Sequence, residues 1–240
     1  KRVMQPHRER NKFRFILSAA FAPVLLKLLN QRIFFIYNWG GSEGGKTAAL
    51  HAALSVWGDP DSLKVSFNAT RVGLEYTAAF YKDLPLGLNE RQLAGDKQDG
   101  VEQTVYMLSE GASKVRGTKG GGLQKIKQWR TIVIATGEVE LAGSSSQTGV
   151  STRVLEIYGG PFDNKIEASN MYPFTAQCHG HAGPAFVQNL INNLEKKIVP
   201  DIHSNLQEYF RSKVADTRSI SHIDAVSTVC LLYTSDAADE

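Results

Sequence analysis

Only two cysteines, Cys178 and Cys230, stand in the 240 residues. That excludes a disulfide framework and with it the small, loop-rich secreted scaffolds. Long apolar runs are missing too. The longest, 13–29 (FRFILSAAFAPVLLKLL), is interrupted by Arg14, Pro23 and Lys27, so it falls short of the roughly 20 residues that span a bilayer. No membrane partner is expected. Neither sign of charge dominates, with 27 Lys and Arg against 24 Asp and Glu, and charged residues make up only 21%. Together with 42% hydrophobic residues this excludes a disordered chain. No secretory signal is visible, no internal repeat is found, and the first residue is not Met. The chain reads as an internal fragment of a cytosolic protein.

What is present is an alternation of short β-branched or aromatic runs with helical spacings. The segment 13–29 is expected as a buried helix kinked at Pro23. Strands are expected at 33–37 (IFFIY), 63–67, 84–88, 131–135 (TIVIA) and 154–158. Helices are expected at 47–57 and 71–82, and around Val101, Val105 and Leu108, with a turn at 58–61. Helices dominate from Pro184 onward, with a break near Pro200. Such alternation predicts an α/β fold, three layers with a mainly parallel sheet covered on both faces. The expected organisation is a helical lead-in (1–30), an α/β core (31–182) and a C-terminal helical segment (183–229).

The densest chemical signal is WGGSEGGKTAAL, in which Gly40-x-x-x-x-Gly45-Lys46-Thr47 completes the Walker A pattern between an expected strand and an expected helix. Gly40, Gly41, Ser42, Glu43, Gly44 and Gly45 are expected to cradle phosphates with backbone N–H groups. Lys46 would reach the β- and γ-phosphates, and the Thr47 hydroxyl would ligate Mg²⁺. The positive end of the following helix adds to the attraction. ATP and Mg²⁺ are therefore the expected ligands.

A P-loop ATPase also needs a strand that ends in a carboxylate. In LPLGLNE, Asn89 stands where the magnesium-supporting Asp is expected, and Glu90 where the water-activating base is expected. Asn89 still accepts a hydrogen bond from a metal-bound water but carries no charge. Thr136, closing TIVIAT, ends a strand expected beside the P-loop strand, where it would read the γ-phosphate or hold the attacking water. Arg153 stands at the foot of the last core strand. It is expected either to act on a neighbouring subunit's γ-phosphate or to pair locally with Glu156 or Glu167. The segment 113–129 holds Lys114, Arg116, Lys119, Lys125 and Lys127, with Arg130 next and no acid. Its Gly120-Gly121-Gly122 centre predicts a hairpin tip, and its charge predicts contact with nucleic-acid phosphates. Cys178-His179-Gly180-His181 offers too few ligands, too closely spaced, for a closed zinc site.

The last segment, 230–240 (CLLYTSDAADE), reads as translated sequencing-adaptor DNA rather than protein design. Without its three acids the rest of the chain is more basic.

In order, FAPVLL, WGGSEGGKTAALHAALSVWGDP, FNATRVGLE, LPLGLNE, GTKGGG, TIVIATGE, TRVLEI and HGHAGPAF resemble the family called domain of unknown function 927. The resemblance runs over 11–229 and implies a helicase-like P-loop protein of phages, plasmids and integrated elements, similar to superfamily 3 and AAA+ ring helicases. It implies a RecA/AAA+-like core in a bacterial cytoplasm, acting as a homo-oligomer, a ring-shaped hexamer. The track would be DNA, single-stranded, and a primase would be fused or separate. By the same resemblance the basic loop corresponds to a DNA-tracking hairpin and Arg153 to a trans-acting finger, while Asn89 departs from the usual acid. The leading expectation is an ATP-driven DNA helicase or translocase. The alternative is a nucleotide-gated DNA-binding or assembly module with weak hydrolysis. A small-molecule P-loop kinase would need an arginine-rich lid that the sequence does not show.

Overall fold

A computed structural model of the chain describes residues 9–90, 98–141, 148–193, 198–214 and 217–234. In chain order the elements are α1 (Asn11–Ala19), α2 (Pro23–Leu26), β1 (Phe34–Trp39), α3 (Lys46–Ser55), α4 (Pro60–Leu63), β2 (Lys64–Ser66), α5 (Arg71–Tyr81) and β3 (Leu86–Asn89). They continue with α6 (Gln98–Ser109), β4 (Ile132–Gly137), α7 (Thr148–Ser151), β5 (Val154–Tyr158), α8 (Lys165–Gln177), α9 (Ala182–Asn193), α10 (Ile198–Lys213) and α11 (Thr217–Thr234). The five strands pair in parallel in the order β2-β3-β4-β1-β5. The expected α/β architecture is therefore present.

The alternation along β1 explains why its sequence is apolar throughout. Phe34 and Ile36 enter one core, with Ile132 and Ile134 of β4, Ala49 and Leu50 of α3, and Phe13 of α1. Phe35 and Tyr37 enter the other, with Val133 and Ala135 of β4, Leu74 of α5, and Val105 and Leu108 of α6. A strand covered on both faces has no solvent side to mark with polar residues. Tyr37 is fully buried, and its hydroxyl is satisfied by donating to the Val139 carbonyl at 2.6 Å.

Two elements differ from expectation. The segment 13–29 is not one kinked helix: α1 ends at Ala19, and Pro23 opens α2 at its first position. There its missing N–H would have had no helical partner anyway. The carbonyl of Ala20, left in the break, accepts from Trp57 Nε1 at 2.7 Å. The helices do separate near Pro200, since α9 ends at Asn193 and α10 opens at Ile198; Pro200 itself lies in the first turn of α10, where proline is tolerated for the same reason. Helix α8 was not expected, since Pro173 lies inside it and only Ala168, Met171 and Thr175 are buried along it. Its start was nevertheless written as a cap, because Asn164 accepts from the Glu167 N–H at 2.9 Å.

The lead-in expected over 1–30 is described from residue 9, and residues 1–8 lie outside the described residues. α11 carries Ala225 and Val229 into the first core and runs on to Thr234. Leu231 is buried there, and burial pushes the Cys230 thiol up to about 11. The rest of the adaptor-like segment, 235–240, lies outside the described residues. Among the described residues no helix is long and apolar enough to cross a membrane.

Candidate nucleotide site

The loop leaving β1 turns by using backbone conformations that side chains disfavour. Gly40 has φ 134° and Gly45 φ 78°, and Glu43, at φ 71°, takes the left-handed region despite its side chain. Gly45 caps α3, whose first residues are Lys46 and Thr47. The loop is braced from outside by the turn after β5. A Cβ on Gly160 would lie 2.6 Å from the Gly44 carbonyl oxygen, and one on Gly45 would lie 2.5 Å from Phe162. Only glycine permits both approaches. Lys165, opening α8, is ion-paired with Glu43 at the loop tip. Gly160, Phe162 and Lys165 are therefore part of the cradle's wall. No motif announced them; Gly159-Gly160-Pro161 after an expected strand was the available signal.

Lys46 Nζ donates to the Gly40 and Gly41 carbonyls at 2.9 and 2.7 Å, so the ammonium lies across the loop. Burial pulls its pKa below the usual lysine value, and the charge of Glu138 acts in the opposite direction. Glu138 follows β4 and accepts from Ser42 Oγ at 2.6 Å. This carboxylate beside the loop was not singled out from the sequence, although it closes the quoted TIVIATGE.

Three separate strand and helix ends meet at Asn89. Its Oδ1 accepts from Thr136 Oγ1 at 2.6 Å and lies 3.4 Å from Thr47 Oγ1. Asn89 is buried at the end of β3 and Thr136 near the end of β4. Thr136 is level with Asn38 of β1, as expected for a strand beside the P-loop strand. Glu90 is exposed and has φ 61°, a left-handed conformation uncommon for a residue with a side chain. The oxygens of Thr47 and Asn89 are hard donors of the type that hold magnesium directly or through water. Loop amides, Lys46 and a helix N-terminus suit phosphates. The residues present therefore fit a magnesium nucleotide.

Arg153 lies elsewhere. β5 is in register with β1 from Phe35↔Val154 to Trp39↔Tyr158, so Arg153 is level with the start of β1 while the cradle follows its end. At about 3.3 Å per residue the two are roughly 16 Å apart along the sheet. Arg153 pairs with neither Glu156 nor Glu167. Its Nη1 donates to the Gly149 carbonyl at 2.7 Å, and its guanidinium carbon lies 5.1 Å from the Tyr106 ring centroid. Glu167 instead holds Arg10.

The segment 113–129 is an antiparallel ribbon, bridged at Ala112↔Gln128 and Gly117↔Leu123. Gly121 and Gly122, at φ 84° and 90°, make its tip. Lys114, Lys119 and Lys125 are exposed. The other two expected contacts are engaged with α5. Arg116 pairs at 2.6 Å with the buried carboxylate of Glu75 on α5, and Lys127 lies 3.8 Å from the Tyr76 ring centroid. The Glu75 hydrogen bond raises the Arg116 pKa. No group of three or more His, Cys, Asp or Glu able to hold a metal occurs among the described residues, and Cys178 is an exposed free thiol.

The family model described as Domain of unknown function (DUF927) matches residues 1–128. No curated protein matches the chain. Among solved structures it is similar to the active helicase Cch of SCCmec type IV, with TM-score 0.73 and 22% identity. That similarity covers 95% of this chain and 43% of the Cch chain, so the chain spans less than half the length of that structure.

Proposed function

We propose that this chain, which belongs to the family described as Domain of unknown function (DUF927), is the ATP-binding and ATP-hydrolysing motor of a DNA helicase or translocase. The observation that carries the reading is the convergence of Thr47, Asn89 and Thr136 from α3, β3 and β4 beside Lys46, with Glu90 adjacent. The residues that this reading assigns to binding and to hydrolysis come from different elements, and the strand order β2-β3-β4-β1-β5 supports it by setting the ends of β3 and β4 side by side.

In this reading the loop amides from Gly40 to Gly45 and the Lys46 ammonium bind the phosphates of ATP. Thr47, and Asn89 through a metal-bound water, would hold Mg²⁺, which would neutralise charge on the phosphate oxygens. Glu90 orients the attacking water and takes its proton. Thr136 fixes Asn89 and senses the γ-phosphate. Arg153, at the far end of the sheet from its own cradle, acts on the γ-phosphate of a neighbouring subunit in a homo-oligomeric ring, where such residues contribute about 10³–10⁵ in rate. Lys114, Lys119 and Lys125 on the ribbon bind the phosphates of single-stranded DNA.

The test is ATP-dependent strand displacement by the full-length protein, with Lys46→Ala and Glu90→Gln as controls. Unwinding that both substitutions abolish is expected. Absence of DNA-dependent ATP hydrolysis and of unwinding in every oligomeric form would sink the motor reading. A second reading has its own observation. Asn89 is uncharged, and its acceptor oxygen is already shared by two hydroxyls, which suits a nucleotide-gated DNA-binding module with weak hydrolysis. Equal ATPase rates in the native protein and Glu90→Gln favour that module.

A further inference from the structure

Tyr106 has no part in the chemistry above, yet it touches Arg153, and the helix that carries it also holds the basic ribbon. It lies half-buried on α6, on the flank left over when Val101, Val105 and Leu108 face the core. Its ring supports the Arg153 guanidinium at 5.1 Å, while the Gly149 carbonyl on α7 accepts from Arg153 Nη1 at 2.7 Å. The packing is close, so that a methyl group at Gly149 would displace the end of the tyrosine, the arginine or both. A Cβ on Gly149 would lie 2.6 Å from the Tyr106 hydroxyl and 3.2 Å from Arg153 Nη1. An aromatic face and a carbonyl thus hold the cation from two sides, which fixes a long side chain that would otherwise sample many rotamers.

The same helix anchors the ribbon. Trp129, buried at the ribbon's end, donates through Nε1 to the Leu108 carbonyl at 2.8 Å and through its backbone N–H to the Gly111 carbonyl at 2.9 Å. Leu108 is two residues beyond Tyr106. The root of the basic ribbon and the support of Arg153 are therefore fastened to one turn of one helix, which also follows the segment leaving Glu90.

We propose that Tyr106 is a positioning residue for Arg153, setting the guanidinium for its neighbour's phosphate and passing displacement of the DNA-bound ribbon to it through α6. The role rests on the reading of Arg153 as the trans-acting arginine. An error of 1 Å in such a group costs on the order of 10²-fold in rate.

The experiment measures ATPase kcat and KM of the full-length protein with and without an oligo-dT strand. The variants are Tyr106→Phe, Tyr106→Ala, Gly149→Ala, Arg153→Ala and the Tyr106→Ala/Arg153→Ala double. Tyr106→Ala lowers the DNA-stimulated kcat by about 10- to 100-fold and leaves KM for ATP within about twofold, because a contact made by the arginine only in the transition state lowers kcat without weakening ground-state binding. Tyr106→Phe recovers the rate, since it keeps the ring face. Gly149→Ala, which keeps the ring but displaces it, gives the same kcat loss and carries the test if the truncated ring unfolds the chain. The double variant is no slower than Arg153→Ala alone. Native kcat in Tyr106→Ala or Gly149→Ala, or losses that multiply in the double, would overturn the proposal while leaving the arginine reading intact. A native rate in Arg153→Ala overturns the arginine reading itself, and the proposal with it.

Discussion

The Thr136 hydroxyl donates to Asn89 Oδ1 over 2.6 Å, tying the end of β4 to the end of β3 at the point where Thr47 also approaches. Asn89→Asp keeps an acceptor for both hydroxyls and adds a charge where a divalent cation is expected. A unit charge about 4 Å from another contributes about 1 kcal/mol even in water and more in a shielded cleft. The Mg²⁺ concentration for half-maximal ATPase should fall by at least about fivefold. A titration of ATPase against Mg²⁺ checks this. An unchanged midpoint would assign Asn89 to holding Thr136 alone.

Gly160→Ala should injure nucleotide binding from outside the P-loop motif. The added Cβ meets the backbone of Gly44 at 2.6 Å, and no side-chain rotation relieves a clash with a carbonyl. Overpacking of this kind costs about 1–3 kcal/mol, here borne by the loop. If the loop yields, affinity for a fluorescent ATP analogue falls roughly 10- to 100-fold, each 1.4 kcal/mol being tenfold, with the far-UV circular dichroism unchanged. Native affinity would show that the turn after β5 moves instead.

Stability should decline on mild acidification. Burial pulls the pKa of His51 below its usual 6.5; Lys64 pulls the same way, while Asp61 and Asp59 oppose. Tyr172 packs edge-on against the ring, and Lys64 Nζ lies 2.9 Å from His51 Nε2. His203, beside Thr228 and Asp224, is also lowered by burial. Both folded-state values lie below the unfolded one. The stabilisation is therefore complete above about pH 6.5 and is lost as the pH falls beneath it, because the unfolded chain takes up protons first. The urea midpoint should drop between pH 7.5 and 5.5, and His51→Asn should flatten part of that slope. An unaltered midpoint in the native chain contradicts the prediction.

Replacing Lys114, Lys119 and Lys125 by Ala should weaken binding to single-stranded DNA of any sequence. If each neutralises one phosphate, the slope of log K against log salt falls by about 2, at roughly 0.7 per contact. Arg116→Ala should behave differently, since it strands the buried Glu75 carboxylate. It is expected to loosen the ribbon from α5, read as faster proteolysis within 113–129. A salt slope that does not change in the triple variant removes the ribbon from the binding surface.

Much of this was legible from local pattern. The cradle is legible because its function requires glycines, a lysine and a hydroxyl at fixed short spacing, so chemistry and sequence coincide. The strands are legible because a sheet covered on both faces demands continuous apolar runs, as at Phe34, Phe35 and Ile36. Helix α8 was not legible, since it buries few apolar residues and contains Pro173; its stability comes from packing on α3. Tertiary structure alone decided the rest. It placed β4 between β1 and β3, so that Thr136 meets Asn89. It laid Gly160 against Gly44 and Glu138 against Ser42. It also divided the basic residues of the ribbon, committing Arg116 to Glu75 while leaving Lys119 in solvent. The sequence by itself determined which groups are present and how each strand and cradle residue sits locally. Which groups touch across sequence separations of 47 or 96 depended on strand order and packing, which no local spacing encodes.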